Sequence, residues 1–233
     1  MENRPLGYEF KDQRSAATAA VMRSSELETS KVLRNTYLLL GLTLAFSAAT
    51  GALAMNMGIG FVNPLITLVV YFGLLIFTNV MRNSALGLLG AFGITGWLGF
   101  TTGPLLSAYM GIQGGAEIVN LALGSTAFIF IAMSAIALIT KKDFNFLTNF
   151  LMVGILEAFL AGLVGYFFNL STLALAVSGA FVLLSSLLIL WQTSAIIHGG
   201  ETNYIMATVT LYVSIYNLFM SLLHILTALS GND

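Results

Sequence analysis

The sequence predicts an all-α, polytopic membrane protein: a bundle of seven transmembrane helices. Three observations point there. Only 8% of the 233 residues are charged and 58% are apolar, with a mean hydropathy of +0.91, whereas a soluble domain averages about 25% charged residues. A chain of this length with so few charges cannot build a polar shell. Seven apolar stretches each approach the roughly 20 residues that cross a hydrocarbon core. Once those seven spans are drawn, the basic residues all fall on one side of the membrane.

The spans run roughly over 32–55, 62–81, 84–109, 115–140, 144–168, 172–197 and 204–229. Ahead of them, residues 1–30 are mixed and polar and are expected to form a cytoplasmic tail, partly helical and mostly disordered. The transmembrane domain then occupies residues 31–233. A cleavable signal needs an apolar run close to the start, and here the first begins only after Lys31. Span one therefore serves as a retained insertion signal. Asn63-Pro64 reads as an N-cap with proline at the first helical position. The other breaks are Gly111 to Gly115, Lys141-Lys142-Asp143, Asn169 to Thr172, and His198 to Asn203.

Orientation follows from the basic residues. The nine are Arg4, Lys11, Arg14, Arg23, Lys31, Arg34, Arg82, Lys141 and Lys142. Six lie in the tail or at the start of span one, Arg82 lies between spans two and three, and the lysine pair between spans four and five. The loops around 56–61, 110–115 and 169–172 carry none. This pattern places the N-terminus in the cytoplasm and Asp233 on the opposite side. The chain has no cysteine, which excludes disulfides and thiolate metal sites.

Lipid supplies no hydrophobic drive for helix association, so small residues matter at contacts. Span three carries Gly87, Gly90, Gly93, Gly96 and Gly99, then Gly103. A three-residue step spirals around a helix, so span three is expected to be central and crowded. Gly103-Pro104 is expected to kink it or end its regular part. Span five offers Gly154, Ala158 and Gly162 at four-residue steps.

Polar residues inside the spans carry the functional reading, because they are costly in hydrocarbon and usually face a bundle interior. Glu157 lies near the middle of span five. It reads either as a proton or cation site or as a neutral carboxyl bonded to a polar neighbour. Span seven has a stripe of Thr210, Ser214, Asn217, Ser221 and His224, and span six has Ser178, Ser185 and Gln192. Each set lies on one helix face. Two facing stripes could line a narrow hydrated path or serve as interhelical hydrogen-bond glue. His224 is a pH-sensitive group or a packing residue. No Gly-x-Ser-Gly nucleophile motif, HExxH zinc site, paired-aspartate motif or Gly-x4-Gly-Lys phosphate loop appears. The chain is therefore read as non-enzymatic, with no cofactor, and nothing in it points to nucleic acid.

Several residues carry a family resemblance. They include Gly103-Pro104-Leu105-Leu106 and, in span four, Ala122, Thr126, Ala127, Ile129 and Phe130. The last spans contribute Thr193, Ile196-Ile197, Asn203-Tyr204, Ala207, Leu211-Tyr212, Asn217-Leu218-Phe219 and Leu222-Leu223. In this order and spacing, over roughly residues 30–229, the sequence resembles the Bax inhibitor-1 (transmembrane Bax-inhibitor-motif) family. Two segments resemble its bacterial branch, known as modulator of FtsH protease: His198-Gly199-Gly200-Glu201-Thr202-Asn203-Tyr204-Ile205 and the run from Ser30 to Tyr37. That branch implies a place in the bacterial inner membrane and binding to the membrane-anchored, ATP-dependent protease FtsH, whose attack on membrane substrates it restrains. Other members imply a pH-dependent calcium leak sensed by two acidic residues, late in span six and midway along span seven. Here those positions are Gln192 and Ser214, which hydrogen-bond but do not titrate near neutral pH. For a calcium or proton leak along the polar faces of the last two spans, Glu157 could supply a substitute carboxylate from span five.

Overall fold

A computed structural model describes residues 6–231, with side chains from residue 27 onward. Arg4 and Asp233, and the side chains of Lys11, Arg14 and Arg23, lie outside the described residues. The described chain is all-helical, with seven α-helices: α1 Leu6–Asn56, α2 Pro64–Val80, α3 Ala85–Met110, α4 Gly115–Thr140, α5 Thr148–Phe167, α6 Ser171–Ile197 and α7 Tyr204–Leu229. A short 3-10 turn, Asn145–Leu147, leads into α5. Six of the helices are long and apolar enough to cross a membrane. The exception is α2. Asn63 caps it by accepting from the Leu65 amide at 2.9 Å, with Pro64 in the first turn, and the turn at Met81–Ser84 stops it. Its 17 residues reach about 26 Å at 1.5 Å each, less than the roughly 30 Å of hydrocarbon.

The N-terminal segment corrects the sequence reading. No break occurs at residue 30: α1 is one helix of 51 residues, about 75 Å long. Its apolar portion starts at Leu27. The residues before it continue the same helix, so the expected mostly disordered tail is helical from Leu6 onward. Mixed charges on strong helix formers permit this, and the apolar span supplies a ready nucleus from which the helix propagates.

The glycine spiral of α3 does what its spacing predicts. Gly90 and Gly93 lie against Thr78 and Leu74 of α2, whereas Gly96, Gly99 and Gly103 lie against Phe46, Ser47 and Gly51 of α1. A Cβ at Gly103 would sit 2.8 Å from that of Ala54, and one at Gly51 would sit 3.1 Å from the Gly99 carbonyl oxygen. The two backbones approach as closely as side-chain-free surfaces allow. Pro104 does not end α3, which continues to Met110. The central place expected for α3 is shared: α3 meets α1, α2, α4 and α7, and α7 meets α1, α3, α4 and α6. By contrast, α5 packs mainly on α6. Its Gly154 and buried Ala158 face that helix, with Leu184 filling the notch at Gly154.

Candidate functional site

The polar groups that make the most contacts between elements gather at one end of the bundle, around the α6–α7 loop. The loop is shaped by its own sequence. Gly199 adopts φ +71°, the left-handed conformation that glycine takes without a Cβ penalty. The Gly200 amide then reaches back to the Ala195 carbonyl at 2.8 Å, and the Gly199 amide to that of Ile196 at 3.1 Å, a Schellman cap. Glu201 accepts from the Asn203 amide at 2.8 Å. Asn203 caps α7, accepting from the amides of Ile205 at 3.1 Å and Met206 at 3.0 Å. Tyr204 follows as the first helical residue, packed against the main core.

From this loop, side chains reach both neighbouring loops. The Asn203 Nδ2 donates to the Arg82 carbonyl and to Asn83 Oδ1, each at 2.9 Å. His198 Nε2 lies 3.1 Å from the Lys141 carbonyl, and its Nδ1 lies 2.9 Å from that of Ser194. A neutral ring donates to only one of these carbonyls at a time. Just before the loop, the Ser194 hydroxyl donates to the Lys142 carbonyl at 3.0 Å and accepts from the Phe144 amide at 3.1 Å. The α2–α3, α4–α5 and α6–α7 loops thus form one braced platform. Arg82, Lys141 and Lys142 stand exposed upon it. Lys31 and Arg34 are exposed near the same end of α1, because the neighbouring Thr36 carbonyl accepts from Thr208 in α7 at 3.2 Å and Tyr37 Oη lies 3.2 Å from Thr193 Oγ1 in α6.

The candidate intramembrane residues do not converge. Glu157, the tenth of the twenty residues of α5, is exposed on the outer surface of the bundle. Gln192 and Ser214 are buried, at 2% and 0% exposure, so Glu157 does not join them. Ser214 turns back on its own helix, donating to the Thr210 carbonyl at 2.7 Å. Gln192 Nε2 has no hydrogen-bond partner among the described residues. The two stripes do meet toward the far end, where Ser178 Oγ lies 2.7 Å from His224 Nδ1. Ser178 also donates to the Ala174 carbonyl at 3.0 Å. Asn217 and Ser221 lie on α7 between these points, Asn217 partly buried and Ser221 buried. No cluster of three or more metal-ligating His, Cys, Asp or Glu side chains occurs among the described residues.

Sequence reasoning missed a second polar network, on α7's other face. Tyr212 Oη lies 2.6 Å from Ser47 Oγ and donates to the Thr95 carbonyl at 3.2 Å, tying α7 to α1 and α3. Thr102 donates to Tyr216 Oη at 3.1 Å, and the two tyrosine rings stack with centroids 6.4 Å apart. The i, i+4 tyrosine pair was visible in the sequence, but tyrosine reads as apolar in a hydropathy pattern, which hides its hydroxyl.

Comparison with known proteins places this architecture. A family model described as "Inhibitor of apoptosis-promoting Bax1" matches residues 29–231. An Escherichia coli (strain K12) protein named "Modulator of FtsH protease YccA" is 48% identical over 204 residues, covering 88% of this chain and 93% of the relative. Its counterpart in Escherichia coli O6:H1, named "Inner membrane protein YccA", matches equally. An uncharacterized Pseudomonas aeruginosa protein is 48% identical over 210 residues, covering 90% of this chain and 95% of its own. The matched region contains the apolar helices, the α3 glycine seam and the whole loop platform. The chain is a membrane protein and belongs to the Bax inhibitor-1 family.

Proposed function

We propose that this protein resides in the bacterial inner membrane, binds the membrane-anchored protease FtsH and modulates its activity without itself being an enzyme. The observation that carries this reading is the 48% identity, across nearly the full length of both chains, with a relative named for modulating FtsH. In this reading the chain crosses the bilayer seven times. Helix α2 takes part despite its length, because local thinning and polar flanks accommodate a short span at modest cost. The platform bearing Arg82, Lys141 and Lys142 faces the cytoplasm, as basic loops do, which puts the C-terminal end of α7 on the periplasmic side. Residues 1–30 are the cytoplasmic tail, and from Leu6 onward it continues helix α1 into the cytoplasm. A protease anchored in the same membrane can grip this extension.

Co-purification from detergent tests the binding, and turnover of FtsH membrane substrates in a deletion strain tests the modulation. Association together with altered turnover supports the reading; no association and unchanged turnover sinks it.

A second reading, a pH-dependent calcium or proton leak, draws on one observation: the Nε2 of buried Gln192, without a hydrogen-bond partner among the described residues, on the same helix as Ser178, whose Oγ lies 2.7 Å from His224 Nδ1 on α7. Flux in proteoliposomes across pH, wild type against Gln192→Leu, decides it. Background-level flux in both eliminates the leak.

A further inference from the structure

Glu157 belongs to neither the loop platform nor the α7 polar networks. It stands midway along α5, exposed, with no hydrogen bond or ion pair to any described residue. Around it on the same outer face lie Val153, Leu156, Leu160 and Val164, all exposed large apolar side chains. The small-residue face of α5 is already occupied by α6, and an edge-on ring contact joins Phe159 of α5 to Phe72 of α2. A carboxyl group surrounded by hydrocarbon lacks the water that would solvate it at a soluble surface. A polar side chain on a neighbouring protein helix supplies a partner at that depth without thinning the bilayer or drawing in water.

We propose that the outer face of α5, centred on Glu157, docks a transmembrane helix of a different protein that presents a hydrogen-bond donor near its own midpoint. Charge complementarity selects this occupant. A two-fold contact between copies of this chain through α5 would offer each Glu157 only another carboxyl, whereas a cationic or amide donor on a different helix makes the stronger, charge-assisted pair. A lysine, arginine, asparagine, glutamine or serine on a foreign helix satisfies the carboxyl directly. Resting on the modulator reading, the occupant is a membrane-spanning helix of FtsH.

The test uses the full-length chain in native membranes, with FtsH as the partner assayed. A photo-crosslinking side chain is placed at Val153 or Leu160 on α5, and for comparison at Phe128 or Ile131 on the exposed face of α4. In parallel, FtsH co-purification is measured for wild type, Glu157→Gln and Glu157→Leu, normalised to the amount of each variant in the membrane. The proposal expects FtsH adducts from the α5 positions and none from α4. Glu157→Leu should lower FtsH recovery about tenfold, the upper range for one interhelical hydrogen bond, while Glu157→Gln retains most of it. Equal recovery with all three chains, or equal crosslinking from α4, overturns the docking face and leaves the modulator reading standing. Adducts only between copies of this chain also overturn it. If wild type recovers no FtsH, the modulator reading itself falls, and this inference with it.

Discussion

Helices α3 and α5 are both glycine-containing spans, yet they do opposite things. Gly90 and Gly93 set α3 against α2, and Gly96, Gly99 and Gly103 set it against α1. Only one face of α5 is used in this way, against α6, and the opposite face is left apolar, exposed and interrupted by one carboxyl. In a bilayer, close packing is what holds helices together. A seam on two sides makes a helix part of the scaffold; a seam on one side leaves a surface for something else. The difference separates residues whose loss should unfold the protein from those whose loss should only disconnect it.

The largest expected effect is at the seam. Gly103→Val would place side-chain atoms against the Gly51 carbonyl oxygen and Ala54, at 2.5 and 2.8 Å for the Cβ alone. Overpacking of this kind costs about 3 kcal/mol, with a clear drop in thermal midpoint in detergent. An unchanged midpoint would mean that α1 and α3 are not in backbone contact. Asn203→Ala comes next. It removes a helix cap and two bonds to the α2–α3 loop, a loss of about 2 kcal/mol. Hydrogen exchange should show the Met81–Ser84 turn opening with it; exchange confined to α7 would show that the loops are not coupled. Tyr212→Phe should cost about 0.6–1 kcal/mol, read from the same unfolding curves, because it keeps the ring and removes only the hydroxyl shared with Ser47 and Thr95. The smallest effect is Glu157→Leu, within about 0.5 kcal/mol of wild type. A large destabilisation there would show that Glu157 is part of the fold and would erase the contrast with α3.

Much of the scaffold was legible from sequence because membrane helices announce themselves by composition. The Asn63-Pro64 start of α2, the Gly111–Gly115 and Lys141–Asp143 breaks, and the glycine spiral of α3 all follow from local chemistry. The rotation of each helix about its axis was not legible. A span apolar on all sides has no amphipathic face to reveal which way Glu157 points, so a mid-span carboxyl reads equally well as buried or outward. The same ambiguity hid how the two polar stripes meet, through a hydrogen bond between Ser178 and His224. It also hid the Tyr212 network, whose partners lie on α1 and α3, far away in sequence. The α6–α7 platform was recognised as a motif, but its bracing role depends on Asn203 and His198 reaching loops 121 and 57 residues distant. The helical continuation of α1 before residue 27 escaped because a mixed polar segment carries no periodic apolar signal.

The proposed action of this chain on FtsH is measured most directly by substrate turnover. Degradation of a membrane substrate of FtsH would be followed in cells lacking the chain, and in the same cells supplied with wild type or with the stable Glu157→Leu variant. Faster degradation without the chain, slowed again by wild type and not by Glu157→Leu at equal membrane levels, is the predicted result. Identical substrate half-lives in all three strains would contradict the account.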